Sequence, residues 1–331
     1  MSAPGSDEPG PLSLDLVVCT YDNAALLDRT LEAMSRLRVP PEARCRVLVV
    51  DNNCTDGTPD VMERWKASFP LPLSIVREPR QGLTPARLRA VLETDGEWIA
   101  FVDDDCLLAE DWVEEAARFA AEHPECGAFG GRVVPEWETE PPPYVLAHRY
   151  AYAAKEHGDT AHRRRWLAGA GMVVRRAALE ACGWTARPLL EDRAGTRLVS
   201  GGDVEIGLRI AAGHEVWYVP ACTLRHVIPA RRMTRPYLRR ITRGLGASRH
   251  HAAALTWTGS YPRWLLWSAA GSLGFLAMGA RQLFRPRAGF DAALAFSPLL
   301  GWWAAMGEML RMDAGERRAL LGCAAPHRPA R

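Results

Sequence analysis

Short apolar runs alternate along the front of the chain with longer segments in which apolar side chains recur at helical spacing. The apolar and β-branched runs predict strands over 14–19, 46–50, 73–77 and 98–102. The longer segments predict helices over 24–38, 59–67, 84–92 and 110–122. Such alternation is typical of a mostly parallel sheet with helices on both faces, so we expect an α/β fold.

Polar, acidic loops follow three of these strands, at 20–23, 51–56 and 103–105. The carboxyl ends of parallel strands share one edge of a sheet, and ligands bind at that edge. Three acidic loops there repel one another unless a cation or a donor-rich ligand offsets their charge. We therefore expect these loops to line one ligand-binding crevice.

The densest acidic loop is Asp103-Asp104-Asp105, at the end of a strongly apolar strand. Neighbouring carboxylates there have raised pKa values unless a divalent cation binds, and oxygen ligands suit Mg²⁺ or Mn²⁺. Such ions are commonly held by one or two carboxylates together with substrate phosphates. The loop therefore predicts a site for a metal ion and a diphosphate, although an isolated run of Asp also suits a turn or a helix N-cap.

Positive charge is concentrated in the back half of the chain. The formal net charge is only +2, yet no Asp or Glu lies between Val216 and Phe290, where twelve arginines fall. Before this stretch, 200–211 predicts a helix opened by Gly201-Gly202-Asp203. We expect the front carboxylates to serve a cation, and the arginines to meet diphosphate and membrane headgroups.

Composition limits the domain count and the compartment. With 331 residues, 48% of them hydrophobic, one large domain with an appendage, or two domains, is expected. Eight cysteines without a C-x-x-C pair favour buried thiols in a reducing compartment over disulfides or a zinc site. Residues 1–12 lack the pattern of a signal peptide and are expected to form a disordered lead.

Two uncharged apolar runs, 264–280 and 292–307, lie near the C-terminus. Each is shorter than the roughly 20 residues that a membrane-spanning helix needs. Arginines lie between and outside them, so two full crossings would violate the positive-inside rule. We expect a helical hairpin within a tail over 251–331 that lies in the cytoplasmic leaflet, with arginines at anionic headgroups. A buried helical pair of a soluble subdomain or dimer contact, and two short spans, are the alternatives.

Five motifs, in order along the chain, resemble those of the inverting family 2 glycosyltransferases with the GT-A fold. They are VVCTYDN at 17–23, VVDNNCTDGT at 49–58, GLTPAR at 82–87, DDD at 103–105 and GGDVE at 201–205. The resemblance covers roughly 14–240. It implies a GT-A domain over 13–250, a nucleotide-diphospho-sugar donor, and Mg²⁺ or Mn²⁺.

The resemblance also implies roles for individual residues. Asp203 is the expected catalytic base, with a helix N-cap as the alternative. The residues expected at the donor, including an arginine that we add because guanidinium suits phosphate, are Thr20, Asp22, Asp51, Gly82, Arg87, Asp103, Asp104 and Arg232. The residues expected at the metal ion are Asp103, Asp105 and His226. By composition alone, Arg87 is equally compatible with a solvated helix arginine, and Glu205 is expected to assist the acceptor or face solvent.

The chain departs from the family pattern at three positions. Gly202 stands where the family commonly has Glu, Leu88 where an Asn commonly follows Ala-Arg, and Gly171 where Gly-Ala-Asn is common. The Gln-x-x-Arg-Trp signature associated with processive members is also absent. Transfer of a single sugar is therefore expected.

Together these features predict a metal-dependent inverting glycosyltransferase at the cytoplasmic face of the cell membrane. It would move one sugar to a lipid-linked or cell-surface saccharide. The alternatives are a catalytically silent, membrane-attached nucleotide-sugar-binding protein and a sugar nucleotidyltransferase, although 20–25 lacks the Gly-rich basic loop of the latter. No G-x-G-x-x-G follows the first strand, which disfavours a dinucleotide-binding oxidoreductase. The apolar runs beside the arginines favour a lipid surface over nucleic acid.

Overall fold

The computed structural model describes residues 12–154, 156–190, 192, 201–284 and 291–325. The strands in these ranges are β1 (Leu12–Thr20), β2 (Ala43–Asp51), β3 (Leu73–Arg77), β4 (Trp98–Asp103), β5 (Cys106–Leu108), β6 (Cys126–Trp137), β7 (His162–Arg163), β8 (Met172–Arg175) and β9 (Glu215–Ile228). The helices are α1 (Ala24–Met34), α2 (Thr58–Ser68), α3 (Leu83–Glu93), α4 (Trp112–Glu122), α5 (Pro143–Leu146), α6 (Arg176–Ala181), α7 (Gly202–Ile210), α8 (Arg235–Leu255), α9 (Tyr261–Phe284), α10 (Ala292–Arg311) and α11 (Ala314–Leu320).

The strands form one sheet in the order β3-β2-β1-β4-β8-β6-β9-β5, with β7 paired to β9. The first four strands are parallel to one another, as predicted. β8 runs antiparallel to both β4 and β6, and β5 and β7 run antiparallel to β9, while β6 and β9 are parallel. The α/β fold is confirmed, but the sheet is mixed, because the strand–helix alternation that gives parallel pairing stops after α4.

Side chains of the central strands alternate between two cores, one on each face of the sheet. In β1, Leu16 and Val18 belong to one core and Val17 to the other. The first core includes side chains of α1, α2 and α4, whereas α3, α6 and α7 contribute to the second. Burial on both faces explains why the front strands are continuous apolar runs.

Several element boundaries differ from the sequence predictions. α1 ends at Met34, before the predicted end at 38, and Leu12 already belongs to β1. The rest of the predicted lead, 1–11, lies outside the described residues. The long strands β6 and β9 escaped prediction because register shifts interrupt their alternation, one of them between Gly131 and Val133. All eight cysteines are free thiols.

The C-terminal helices pack against the rest of the fold through α8. α8 continues across residue 250, where the sequence analysis placed the end of the catalytic domain. α10 crosses it at very short range, since a Cβ on Gly246 would lie 2.0 Å from the Pro298 carbonyl oxygen. α9 packs on α10, where the Trp302 indole nitrogen donates to the Ser268 carbonyl at 2.9 Å. The inner faces of both predicted hairpin helices are therefore buried within the protein.

The outer face of α9 is exposed and apolar. Its exposed large side chains are Leu266, Trp267, Leu273, Leu276, Met278, Leu283 and Phe284. Over the described residues, no helix reaches the combination of length and hydropathy required of a membrane span.

Candidate functional site

A cleft of about 1290 Å³ opens at the carboxyl edge of the sheet, between the strand-end loops and α8. β1 and β2 end in register at Thr20 and Asp51, and Cys19 of β1 lies opposite Asp103 of β4. The predicted convergence of the three acidic loops is thus confirmed. α7, the end of β9 and one side of α8 complete the walls.

Asp104 joins the first acidic loop to the third. One carboxylate oxygen accepts from the Thr20 hydroxyl at 2.7 Å, and the other accepts from the Asn23 amide at 2.8 Å. Burial and the neighbouring charge of Asp105 raise the pKa of Asp104 to about 7. With both oxygens engaged, Asp104 fixes the shape of the cleft floor.

Asp105 is buried between two basic side chains. His226 Nε2 lies 3.3 Å from one carboxylate oxygen, and Arg232 Nη1 donates to the other at 2.5 Å. Burial alone would favour the neutral acid, but these two groups outweigh it and hold the pKa of Asp105 well below its usual range. The second ring nitrogen of His226 lies 3.0 Å from the Tyr152 carbonyl oxygen, which orients the imidazole.

Asp203 lies in the first turn of α7, one residue after the helix begins at Gly202. One carboxylate oxygen accepts from the Gly169 backbone N–H at 2.8 Å, and the other from the Val204 N–H at 2.9 Å. The N-cap position is Gly201, so the alternative role of Asp203 as N-cap is wrong. Burial, reinforced by the nearby charge of Asp192, raises the pKa of Asp203.

Arg87 is buried at the centre of the site. Its guanidinium donates to Asp192 at 2.7 Å, lies 4.0 Å from Asp103, and stacks over the Phe101 ring at 5.4 Å. Only 3% of the side chain is exposed, so the alternative of a solvated helix arginine is wrong. Arg87 therefore supplies the positive charge between the cleft-floor carboxylates and α7.

The carboxylates of Asp103 and Asp105 fit a divalent cation. Ligand atoms of Asp103, Asp105 and Cys106 lie within 4.8 Å of one another. Burial keeps the pKa of the Cys106 thiol well above its usual range, so the sulfur stays protonated and the oxygens are the available ligands. Oxygen donors of this kind suit Mg²⁺ or Mn²⁺.

The second acidic loop is held by one of its own carboxylates and by one from the first loop. Asp22 accepts from the Thr55 backbone N–H at 2.6 Å, and Asp51 accepts from the Cys54 N–H at 2.8 Å. Asn52 is buried and accepts from the Gly82 N–H at 2.7 Å, which ties this loop to the start of α3. Gly82 has a φ of +133°, a conformation that favours glycine.

The sequence model described as Glycosyl transferase family 2 matches residues 15–182, slightly more than half of the 331 residues. The chain belongs to glycosyl transferase family 2. The resemblance to this family that the motifs indicated is confirmed.

Two relatives show how far the similarity extends. The chain is 30% identical over 132 residues to the succinoglycan biosynthesis protein ExoM of Rhizobium meliloti, covering 38% of this chain and 42% of ExoM. It is 24% identical over 211 residues to glycosyltransferase AglE of Haloferax volcanii, covering 61% and 65%. The matched segments span less than two thirds of either relative.

Two solved structures share the fold of this family 2 chain. The mannosyltransferase PcManGT of Pyrobaculum calidifontis, solved with GDP-Man and Mn²⁺, has a TM-score of 0.58 at 21% identity and covers 89% of this chain and 87% of its own. Residues 1–349 of S. aureus TarS, solved with UDP-GlcNAc, give a TM-score of 0.50 at 14% identity over 90% and 92%. The GT-A fold is thereby confirmed.

The cleft contains most of the site residues that the sequence predicts. Those that line it are Thr20, Asp22, Arg87, Asp103, Asp104, Asp105, Asp203, His226 and Arg232. Asp51 and Gly82 do not line the cleft. Each forms a hydrogen bond within the neighbouring loops, Asp51 with Cys54 and Gly82 with Asn52. Glu205 does not face solvent: it is fully buried and accepts from the Leu189 and Leu190 N–H groups.

Sequence reasoning missed several residues that line the cleft. Asp192 is buried against Arg87, and Asn23 and Asn52 hold the loops. Tyr150 and Trp166 are aromatic side chains at the far end, each at least a third exposed. Asn23 and Asn52 lie inside the motifs at 17–23 and 49–58, so the sequence could have indicated their place in the site. Asp192, Tyr150 and Trp166 lie in segments without periodicity.

Proposed function

We propose that this protein is a glycosyltransferase that moves one sugar, with inversion, from a nucleotide-diphospho-sugar to a saccharide acceptor. The observation that carries the proposal is a cleft that holds both a pair of carboxylates suited to a divalent cation and a separate, partly buried Asp203 with a raised pKa. A general base works best when its pKa approaches the working pH, and burial moves Asp203 in that direction.

Asp203 is the proposed base. Its carboxylate takes the proton of the acceptor hydroxyl while the acceptor oxygen bonds to the anomeric carbon. The bond from that carbon to the diphosphate oxygen breaks, and its electron pair leaves with the nucleoside diphosphate. The N–H groups of Gly169 and Val204 fix the carboxylate for this transfer.

Asp103 and Asp105, with His226 beside them, are the residues proposed to hold Mg²⁺ or Mn²⁺. A divalent cation bound there would offset negative charge on the departing diphosphate. Arg232 is proposed to bind the same diphosphate, since its guanidinium lies 2.5 Å from Asp105. The Mn²⁺ in the PcManGT structure supports this proposal.

A panel of nucleotide-sugar donors provides the first test. Purified protein is incubated with Mn²⁺ or Mg²⁺ and with UDP-, GDP- and dTDP-sugars, and release of nucleotide is measured. Release from one donor class, abolished by a chelator and restored by the metal, is expected. No binding and no release with any donor would refute the proposal.

The acceptor is proposed to be held at the cytoplasmic membrane face, as a lipid-linked or cell-surface saccharide. Arg165, Arg231 and Arg249 line the cleft and form no ion pair within the described ranges, so they can meet an anionic acceptor group. Five of the seven exposed apolar side chains of α9 lie between Arg263 and Arg281, an arrangement that suits an interfacial helix at anionic headgroups.

Liposome flotation tests the membrane proposal. Wild-type protein is expected to float with vesicles that contain anionic lipid, and Leu266→Asp with Leu273→Asp is expected to abolish flotation. Leu92→Asp is the matched control, because Leu92 is 80% exposed on α3. Flotation that survives the α9 changes, or is lost equally in the control, would contradict an interfacial α9.

A further inference from the structure

A buried carboxylate, Asp192, joins two helices beside the proposed base. One of its oxygens accepts from Arg87 of α3 at 2.7 Å. The other accepts from the backbone N–H groups of Gly201 at 3.2 Å and Gly202 at 2.8 Å, at the start of α7. Its own N–H donates to the Thr84 hydroxyl at 3.2 Å. Asp192 is thus fully engaged with groups on both sides.

Gly202 is the residue whose backbone gives Asp192 its space. A Cβ added to Gly202 would lie 2.2 Å from Asp192 Oδ2 and 2.8 Å from its Cγ. These distances are far inside van der Waals contact, so a side chain at position 202 and the Asp192 carboxylate exclude each other. This position is the one at which the motif resemblance led us to expect Glu.

The Cβ direction of Gly202 points at the carboxylate oxygen that Arg87 contacts. A glutamate at position 202 would therefore direct its side chain into the volume that Asp192 fills. Either residue brings one carboxylate into this region, from a different part of the chain in each case. An anion at a helix N-terminus is stabilised by the unpaired N–H groups and the helix dipole.

We propose that Asp192 is a positioning residue for sugar transfer, which holds Arg87 and the start of α7, and thereby Asp203, in place of a glutamate at position 202. Asp203 directly follows the Gly202 N–H that Asp192 accepts from. Arg87 lies against the same stretch, since a Cβ on Gly169 would lie 2.8 Å from its Nη2 and 3.1 Å from Asp203 Cβ. The inference rests on the proposed role of Asp203 as base.

Three variants of the full chain, and a fourth as control, test whether a glutamate at position 202 can replace the carboxylate of Asp192. Asp192→Ala removes the carboxylate, and Gly202→Glu forces it out of place. Each is expected to lower kcat on the order of 10²-fold, because a displacement of about 1 Å in the reacting groups has that effect. Combining Asp192→Ala with Gly202→Glu returns a carboxylate to the vacated space and is expected to recover most of the lost kcat.

The control for space alone is Asp192→Ala combined with Gly202→Ala. It provides the same room but no negative charge, and it is expected to stay as slow as Asp192→Ala. Because Arg87 is also expected at the donor, kcat is measured at saturating donor in all four variants. Mutual rescue of two damaging changes is an interaction that independent structural defects do not produce.

Asp192→Asn is added in case Asp192→Ala fails to fold. It keeps the acceptor oxygen toward Gly202 but loses the charge toward Arg87, so it is expected to fold and to lower kcat. Two results would overturn the proposal. One is full kcat in Asp192→Asn. The other is that Asp192→Ala with Gly202→Glu is no faster than Asp192→Ala with Gly202→Ala.

Thermal unfolding tests the interaction between positions 192 and 202 without requiring sugar transfer. Gly202→Glu is expected to lower the melting temperature of the wild type and to raise that of Asp192→Ala, with or without turnover. If no donor in the panel is turned over, the proposed function fails, while this opposite response in melting temperature still measures the exchange. Equal lowering in both backgrounds would overturn it.

Discussion

Replacing Gly301 with Ala should force α8 and α10 apart. A Cβ on Gly301 would lie 1.8 Å from the Arg243 carbonyl oxygen and 2.9 Å from the Ala247 nitrogen. An ordinary C···O contact is about 3.3–3.6 Å, so one backbone must move by about 1.5 Å. Overpacking of this kind costs about 1–3 kcal/mol, against a helix-propensity gain of about 1 kcal/mol. Because only backbone atoms line the contact and no side chain can move aside, we expect the upper end of this cost. The free energy of unfolding should then fall by about 2 kcal/mol.

Urea unfolding followed by far-UV circular dichroism measures this loss. The matched control is Gly274→Ala in the exposed part of α9, where an added Cβ meets nothing within 4 Å. The control is expected to gain up to about 1 kcal/mol, because alanine favours the helix. Two variants of equal stability would refute the close crossing of α8 and α10.

Asp203→Asn should lower kcat by about 10²–10⁴-fold while calorimetry shows unchanged donor binding, and lost binding would indicate a structural role instead. Arg232→Ala should strengthen Mn²⁺ binding without donor, measured by electron paramagnetic resonance, because Arg232 competes for Asp105; weaker binding would contradict this competition. Burial lowers the pKa of His250 to about 3, below its ordinary 6.5, so its stabilising effect is present above pH 6.5 and falls with pH toward about 3. His250→Gln should therefore flatten the loss of unfolding free energy between pH 6 and 4 by up to about 1.4 kcal/mol per pH unit, and an unchanged slope would be evidence against burial of a neutral imidazole.

The front of the sheet could be predicted because one physical signal dominates it. Strands buried on both faces must be apolar throughout, so the polar residues at their ends stand out in the sequence. Thr20 and Asp103 were located in this way, and parallel pairing then brought their loops together. The position of Asp103 and Asp105 at this edge followed from the end of β4, and the motif resemblance assigned them to the metal ion.

The remaining parts of the site depend on contacts that local patterns do not encode. Asp192 meets Arg87 across 105 positions of sequence, from a segment with no periodicity. Glu205 looked like a solvated helix residue, yet it is buried with Arg209 and holds the loop before Asp192. The approach of α10 to α8 depends on two glycines whose effect appears only in three dimensions.

The two sides of α8 belong to different parts of the protein. Tyr237, Ile241 and Leu245 face the cleft, while Thr242 donates to Ser297 of α10 at 3.1 Å. At 1.5 Å per residue, the 21 residues of this helix extend for about 31 Å. Deleting α9 to α11 would therefore remove the helix that packs behind the α8 wall of the cleft. Loss of activity in such a truncated chain would say nothing about membrane binding. Substitutions confined to the outer face of α9 separate the two questions.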